Sequence, residues 1–328
     1  MDTILVTAIG TAAGTAIVRE LKKYVKNTKV IGTDINQQYN IVTSRDVDEF
    51  YTVPPIVENP QFYYSFIKNF CVEHNVNYIY CVIDEEVNLL RSNENDLESI
   101  GVKLCLADKK TVETCHFKNI FCNWIEMNFP DLYIEQYNEN TIQKAEYPLF
   151  VKPIEGRASI GCKKIENEKK LQDFFYDNQW NNYIVQKYIT GTVITVDIVR
   201  DQDSGITNTV QKIEYLRNSN GCGIAVEIIE DQKLKAISID IAKRLELNGV
   251  INAEFFLVDA NNENMGNDKN YKIIEINPRF SAGTEYSCMA GVNTVVSALM
   301  IAKGQCIPIE TPQIGNRYAK RYDTYRMR

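Results

Sequence analysis

Lys272-Ile273-Ile274-Glu275-Ile276-Asn277-Pro278-Arg279-Phe280 is the stretch that decides how this chain is read. Its β-branched residues alternate with polar ones, which is the period of a strand. Pro278 stops the strand, because proline has no N–H to give to a sheet. At the stop stand a carboxylate, an amide oxygen and a guanidinium. Glu275 and Asn277 are two apart and leave the same face of the strand. Arg279 continues the alternation unless Pro278 turns the chain first. Two hard oxygen ligands beside a cation suit magnesium and the phosphates of a nucleotide. They suit a solvated polar strand end equally well, so the surrounding chain has to decide.

Just upstream, Val250-Ile251-Asn252-Ala253-Glu254-Phe255-Phe256-Leu257-Val258 is a strand with one acid among apolar residues. Burying an unpaired carboxylate is costly, so Glu254 calls for a cation or a strong donor. With residues 259–270 as a surface hairpin, the two strands run antiparallel and, register permitting, set Glu254 beside Glu275. Further back, Tyr147-Pro148-Leu149-Phe150-Val151-Lys152-Pro153 is a strand with a single lysine in an apolar run, which points to an anion nearby. The small residues Gly156, Ala158, Ser159 and Gly161 follow it, and their backbone N–H groups are free to line a phosphate. This is not a Walker A loop, since no GK[ST] follows and the next element is a strand. Tyr183-Ile184-Val185-Gln186-Lys187-Tyr188-Ile189 is another strand, broken at Thr190-Gly191 and resumed at Ile194. The backbone of that handover suits an adenine ring. Lys118 lies in a helix predicted over 109–127, either at a cleft or on the surface. Residues 168–180, 232–247 and 292–303 have helical periodicity, and 209–215 reads as a strand ahead of Arg217 and a Gly221/Gly223 turn. The basic, tyrosine-rich segment 317–328 forms a last strand or packs on the surface.

The first third alternates strand and helix. Thr3 to Thr7 is a buried strand, Gly10 to Gly14 a glycine turn, and Lys29 to Asp34 a second strand. The turn lacks the middle glycine of the dinucleotide fingerprint, so we read a Rossmann-like half-domain that need not hold NAD. Asp84-Glu85-Glu86 ends a third strand. These acids face a ligand crevice or cap the following helix, and capping is the preferred reading.

Composition narrows the classes. The 328 residues give room for two or three domains, and 45% apolar and 24% charged residues are ordinary for a globular chain. A net charge of −7 argues against a general nucleic-acid binder. Nine cysteines without a CxxC pair, and no secretory signal ahead of the first strand, predict reduced thiols and a cytoplasmic protein. Two histidines outside any ligand cluster argue against zinc and a serine-type triad. No apolar run is long enough to cross a membrane.

In this order, Lys118, Val151-Lys152-Pro153, the 155–161 loop, Gln186 to Ile189, Glu254 and Glu275-Ile276-Asn277-Pro278-Arg279 resemble the ATP-grasp superfamily. Within it the chain looks like the carbamoyl phosphate synthetase large subunit and the PylC-type amino-acid ligases, through Thr7 to Gly14, Asp34, Asp84-Glu85-Glu86 and Ala290-Gly291-Val292-Asn293. The resemblance implies an α/β chain: a Rossmann-like pre-ATP-grasp domain (1–108), a two-subdomain α+β ATP-grasp fold (109–310, lid about 145–190) and a tail (311–328). It implies that Lys118 and Lys152 hold ATP phosphates under the loop of Gly156, Ser159 and Gly161. Gln186, Lys187, Tyr188 and Ile189 would frame the adenine, while Glu254, Glu275 and Asn277 would bind Mg2+ (or Mn2+). Lys152 and Arg279 would act on the transferred phosphoryl group. The implied chemistry is phosphorylation of a small carboxylate and capture of the acylphosphate by an amine, with no nucleic acid or membrane involved and a homodimer allowed. Two positions depart from the pattern. Val193 replaces an acid that binds ribose, for which Asp197, four residues on, is the substitute in reach; Phe117 replaces an Asp before Lys118. The Val193 departure motivates an alternative: a non-catalytic nucleotide-binding or regulatory module on the same scaffold.

Overall fold

Alternating apolar strands and amphipathic helices at the start of the chain build a parallel sheet, seen in a computed structural model that describes residues 1–156, 160–219, 221–258 and 269–327. β1 (Asp2–Val6), α1 (Ala12–Tyr24) and β2 (Thr28–Asp34) form the first unit. Thr11 caps α1 by accepting from the Gly14 N–H. Asp34 holds the glycine turn, accepting from the N–H of Gly10 at 2.9 Å and of Asn36 at 3.0 Å. β3 (Glu49–Thr52), α2 (Pro60–Glu73), β4 (Tyr78–Tyr80), α3 (Asp84–Ser92), α4 (Glu94–Ser99) and β5 (Lys103–Leu104) complete it, in the order β3-β2-β1-β4-β5.

The helix expected over 109–127 is two, α5 (Lys109–His116) and α6 (Lys118–Asn128). Phe117 between them is extended, and the Lys118 N–H donates to the Ile154 carbonyl at 3.2 Å. A long-range contact fixes this break, which is why local periodicity does not reveal it.

A four-stranded antiparallel lid follows: β6 (Gln136–Tyr137), β7 (Leu149–Pro153), β8 (Lys163–Ile165), α7 (Glu168–Tyr176) and β9 (Tyr183–Lys187), in the order β6-β9-β7-β8. It starts earlier than the expected boundary near 145, because the two-residue β6 is too short to show a pattern. The lid has a small core of its own: Leu149, Val151, Ile165, Leu171 and Val185.

The last part is an antiparallel sheet of six strands. Its elements are β10 (Gly191–Arg200), β11 (Thr207–Arg217), β12 (Gly223–Ile229), α8 (Gln232–Arg244), β13 (Gly249–Val258), β14 (Asn270–Asn277), α9 (Thr284–Met289), α10 (Thr294–Ala302) and β15 (Arg317–Ala319). The order is β14-β13-β10-β11-β12-β15. Of the two readings of 317–328, the last strand holds for Arg317–Ala319, where Ala319 pairs with Ala225 and extends the sheet edge. The hairpin expected at 259–270 lies mostly outside the described residues.

The first domain and this sheet share their cores. Leu5 and Ile79 belong to one buried cluster with Ile194, Phe255 and Ile276, and Val6 and Tyr80 to another with Val250, Phe280 and Val295. The seam is tight. Asp108 caps α5 and accepts from the Asn248 N–H at 3.0 Å. Next to it, Gly249 has φ 130°, and a Cβ there would stand 2.3 Å from the Leu106 carbonyl oxygen. No helix among the described residues is long and apolar enough to cross a membrane.

Gly249→Ala combines a clash against backbone with a strained φ, so we expect about 2–4 kcal/mol of destabilisation in urea unfolding. Gly101 also has a positive φ, but a Cβ there would meet nothing within 4 Å, so Gly101→Ala should cost about 1 kcal/mol. Equal costs would show that the seam tolerates the extra carbon.

Candidate functional site

The register of the large sheet assembles the site. Glu254 pairs directly with Glu275 on β14 and with Thr195 on β10, and Thr195 pairs with Lys212 on β11. One step along, Asn277, Asn252 and Asp197 are partners in the same way. Directly opposed residues share a face, so three strands present Glu275, Glu254, Asn277, Asn252 and Thr195 together. They line a cleft of about 530 Å³ between this sheet and the lid.

Two carboxylates in direct opposition repel. Burial, followed by the charge of Glu275, pushes the Glu254 carboxyl up from 4.5 to about 7, with Arg217 pulling the other way. Arg217 Nη2 lies 3.0 Å from Glu254 and its Nε 2.7 Å from Glu214. Glu214 is itself raised by burial. It also accepts from the Thr195 hydroxyl at 3.2 Å.

The lid supplies cations. Lys152 is 4% exposed. Its ammonium donates to the Ile274 carbonyl at 3.2 Å, next to Glu275. Lys118, the first residue of α6, donates to the Gly156 carbonyl at 2.8 Å. Both line the cleft, as do Gly156, Gln186, Tyr188 and Ile189. Gly161 sits between Ile160 and Cys162, which line it, and a Cβ on Gly161 would meet Pro153 at 2.9 Å. Ser159 lies outside the described residues.

Arg279 is anchored from the first domain. Its Nε and Nη2 donate to the two Asp84 oxygens at 2.6 and 3.1 Å, and Nη2 also reaches Asn277 at 3.1 Å. Burial opposes its charge, but Asp84, Glu275 and Glu254 outweigh burial and hold the guanidinium protonated. Both readings of the acids at 84–86 apply: all three stand in the first turn of α3, where negative charge suits the helix N-terminus, while Asp84 also bridges the domains and Glu86 is buried, accepting from the hydroxyls of Thr7 and Tyr63.

Two expectations are corrected. Asp197 does share the strand face of Val193, but it is 2% exposed and engaged by Lys212, by Ser287 at 2.6 Å and by Asn252 at 2.8 Å. Its carboxyl is held below the usual range because Lys212 overcomes the effect of burial. It is not among the residues that line the cleft, where a ribose would lie. Lys187 is exposed and its side chain does not line the cleft; its N–H donates to the Glu135 carbonyl at 2.9 Å.

Sequence reasoning missed Glu214. Val193 lines the cleft without an acid, and since Ile194 pairs with Ile213, Glu214 lies across from Val193 on the next strand. The alternation of 210, 212 and 214 was the available signal.

The donor set fits a divalent cation. Among the described residues no group of three or more His, Cys, Asp or Glu converges, but Glu254 and Glu275, directly opposed, and the amide oxygen of Asn277 are hard donors on one face of the cleft. Magnesium is commonly held by one or two carboxylates with phosphates completing the shell.

Comparison with known proteins agrees with this architecture. Residues 115–283 match the ATP-grasp domain, and residues 4–105 match the PylC-like N-terminal domain. The chain belongs to the ATP-grasp family. It is 26% identical over 235 residues to the carbamoyl phosphate synthase large chain of Pyrococcus furiosus, covering 66% of this chain and 21% of that protein. It is 25% identical over 137 residues to the 3-methyl-D-ornithine–L-lysine ligase of Methanosarcina barkeri, covering 42% of this chain and 34% of that one. The chain thus spans between a fifth and about a third of the length of these curated relatives. In fold it is similar to the biotin carboxylase domain of Hydrogenobacter thermophilus 2-oxoglutarate carboxylase, solved with MgADP, ADP and bicarbonate. The TM-score is 0.74 at 14% identity, covering 95% of this chain and 72% of that one.

Glu254→Gln should stabilise the ligand-free protein. A carboxyl raised by folding binds its proton more tightly in the folded state, so its contribution to stability falls as pH rises from 4.5 to about 7. The gain in Tm should therefore be larger at pH 8 than at pH 5; a gain that is absent or larger at pH 5 contradicts the crowding.

Proposed function

We propose that this protein is an ATP-dependent ligase that joins a small carboxylate, such as that of an amino acid, to an amine. The observation that carries the reading is the register pairing of Glu254 with Glu275, with Lys152 donating to the Ile274 carbonyl and Arg279 after the strand end. This arrangement places hard anionic donors and fixed cations around one cleft, as a polyphosphate and its metal require.

In this reading the adenine lies against Gln186, Tyr188 and Ile189, and Lys118 and Lys152 hold the phosphates beneath Gly156 and Gly161. Glu254, Glu275 and Asn277 hold Mg2+ or Mn2+, which supplies positive charge to the phosphate oxygens when bound. A carboxylate oxygen of the substrate attacks the γ-phosphorus, the bond to ADP breaks, and an acylphosphate forms. The amine nitrogen then attacks the acyl carbon, phosphate leaves, a proton is lost and the amide remains. Arg279, held by Asp84, faces the charge on the transferred phosphoryl group. The protein's contribution is positioning and charge neutralisation.

Val193 favours a second reading, a nucleotide-binding module without turnover, because the wall of the cleft there carries no acid of its own. The assay is Mg-ATP with pools of amino acids and small carboxylates, following ADP, AMP and phosphate. Substrate-dependent ADP and phosphate are expected. AMP would exclude the acylphosphate route, and bound ATP without turnover across the pools would favour the module. Glu275→Ala should abolish turnover with the circular dichroism unchanged; an active, folded variant would remove the metal assignment. Asp84→Asn should lower kcat about 10²-fold through misplacement of Arg279, with the KM for ATP little changed. A change confined to KM would mean that Asp84 binds rather than positions.

A further inference from the structure

Arg217 is in an unusual place for the last residue of a strand. Along β11, Lys212 and Glu214 share one face, of which Glu214 lines the cleft, and simple alternation would turn residue 217 away. Two register shifts against β12, between Glu214 and Leu216 and between Leu216 and Arg217, break the alternation. Bulges of this kind re-aim side chains, and here the guanidinium is aimed into the cleft, bridging Glu214 and Glu254. The surroundings leave it room. Its side chain is 31% exposed. Arg217 pairs with Gly223, and a Cβ on Gly221 would still be 4.0 Å from its Nη2. Gly223 leads to the far end of the cleft: its carbonyl accepts from Tyr286 at 3.3 Å, and Ser281 and Gly283 line the same end.

Arg217 thus competes directly with any cation that uses Glu254. Glu214 behaves differently, because it holds Arg217 through Nε and lies away from Glu275, so it tethers the side chain while Nη2 changes partner.

We infer that Arg217 is a place-holding cation: it occupies Glu254 until a divalent ion arrives with the nucleotide, and its released Nη2 then receives the carboxylate of the second substrate at the Ser281–Gly283 end of the cleft. The inference rests on the ligase reading for the identity of that anion. It makes binding ordered, since the nucleotide and its metal create the carboxylate site. It also makes the acid substrate's carboxylate, rather than its side chain, the group that Arg217 recognises.

The test needs no turnover. Mn2+ binding is titrated by electron paramagnetic resonance, with a non-hydrolysable ATP analogue, in wild type, Arg217→Gln and Arg217→Lys. Paramagnetic broadening of 13C-acetate by the bound Mn2+ is measured in the same samples. Removing a competing charge-assisted pair should tighten Mn2+ about fivefold to tenfold in Arg217→Gln, while acetate broadening, present in wild type only when the analogue and Mn2+ are both bound, is lost. Arg217→Lys should fall between the two on both readings, which a loss of folding would not produce. Unchanged or weaker Mn2+ binding in Arg217→Gln overturns the place-holding role. Equal broadening in the variants, or none in wild type, overturns the handover to a carboxylate. Absence of ligase turnover would count against the reading beneath this one and leave the Mn2+ and acetate results standing.

Discussion

Two carboxylates set opposite one another on neighbouring strands are an unfavourable pair, and the site is built around that pair. Glu254 and Glu275 are held opposite one another by the backbone pairing of Asn252–Val258 with Asn270–Asn277, which continues past a bulge between Glu254 and Phe255. Positive groups must therefore come to them. Arg217 arrives through a bulge, Lys152 from the lid, and Arg279 from beyond a proline, steadied by an acid from another domain. Natural proteins keep such destabilising arrangements where function requires them. The cost here buys a place where a polyphosphate and a metal are preferred to water.

The cation arrangement also explains the domain order. Arg279 alone, following Pro278, would have a range of orientations, and its two bonds to Asp84 select one. In the first domain Asp34 closes the glycine loop on itself, accepting from the Gly10 N–H. The domain's contribution is the carboxyl end of β4, where Asp84 leaves the sheet towards the cleft. In open α/β sheets that end is where ligands gather, and here it holds a side chain belonging to the neighbouring domain.

Most of the architecture was legible because it follows from periodicity. The parallel first domain, the β13–β14 pair with Glu254 beside Glu275, and the lysine strand at Lys152 all come from period-2 or helical patterns with a charged residue out of place. What stayed hidden depends on long-range geometry. The break at Phe117 is fixed by Lys118 meeting Ile154. β3 and β6 have four and two residues, too few for a pattern. Asp197 looked available because alternation gives the face of a strand but not its depth, and only the fold shows Lys212 on the next strand. Arg217 bridges Glu214 and Glu254 by violating alternation, so a rule based on alternation does not give those two partners.

The lid's separate core carries a consequence of another kind. Five buried apolar residues form the lid's own core, and Ile184 of β9 joins it to the larger body, whereas the first domain and the large sheet are joined through two extensive clusters. Small cooperative units with few buried contacts open at lower free energy than the body they are attached to. Backbone amides of β7 and β9 should then exchange with solvent deuterium by local opening, well before those of β10 and β13. An occupied cleft, adding a ligand's contacts to the bond between Lys152 and the Ile274 carbonyl, would couple the two units more tightly and slow that exchange, making the lid's amide protection a gauge of occupancy.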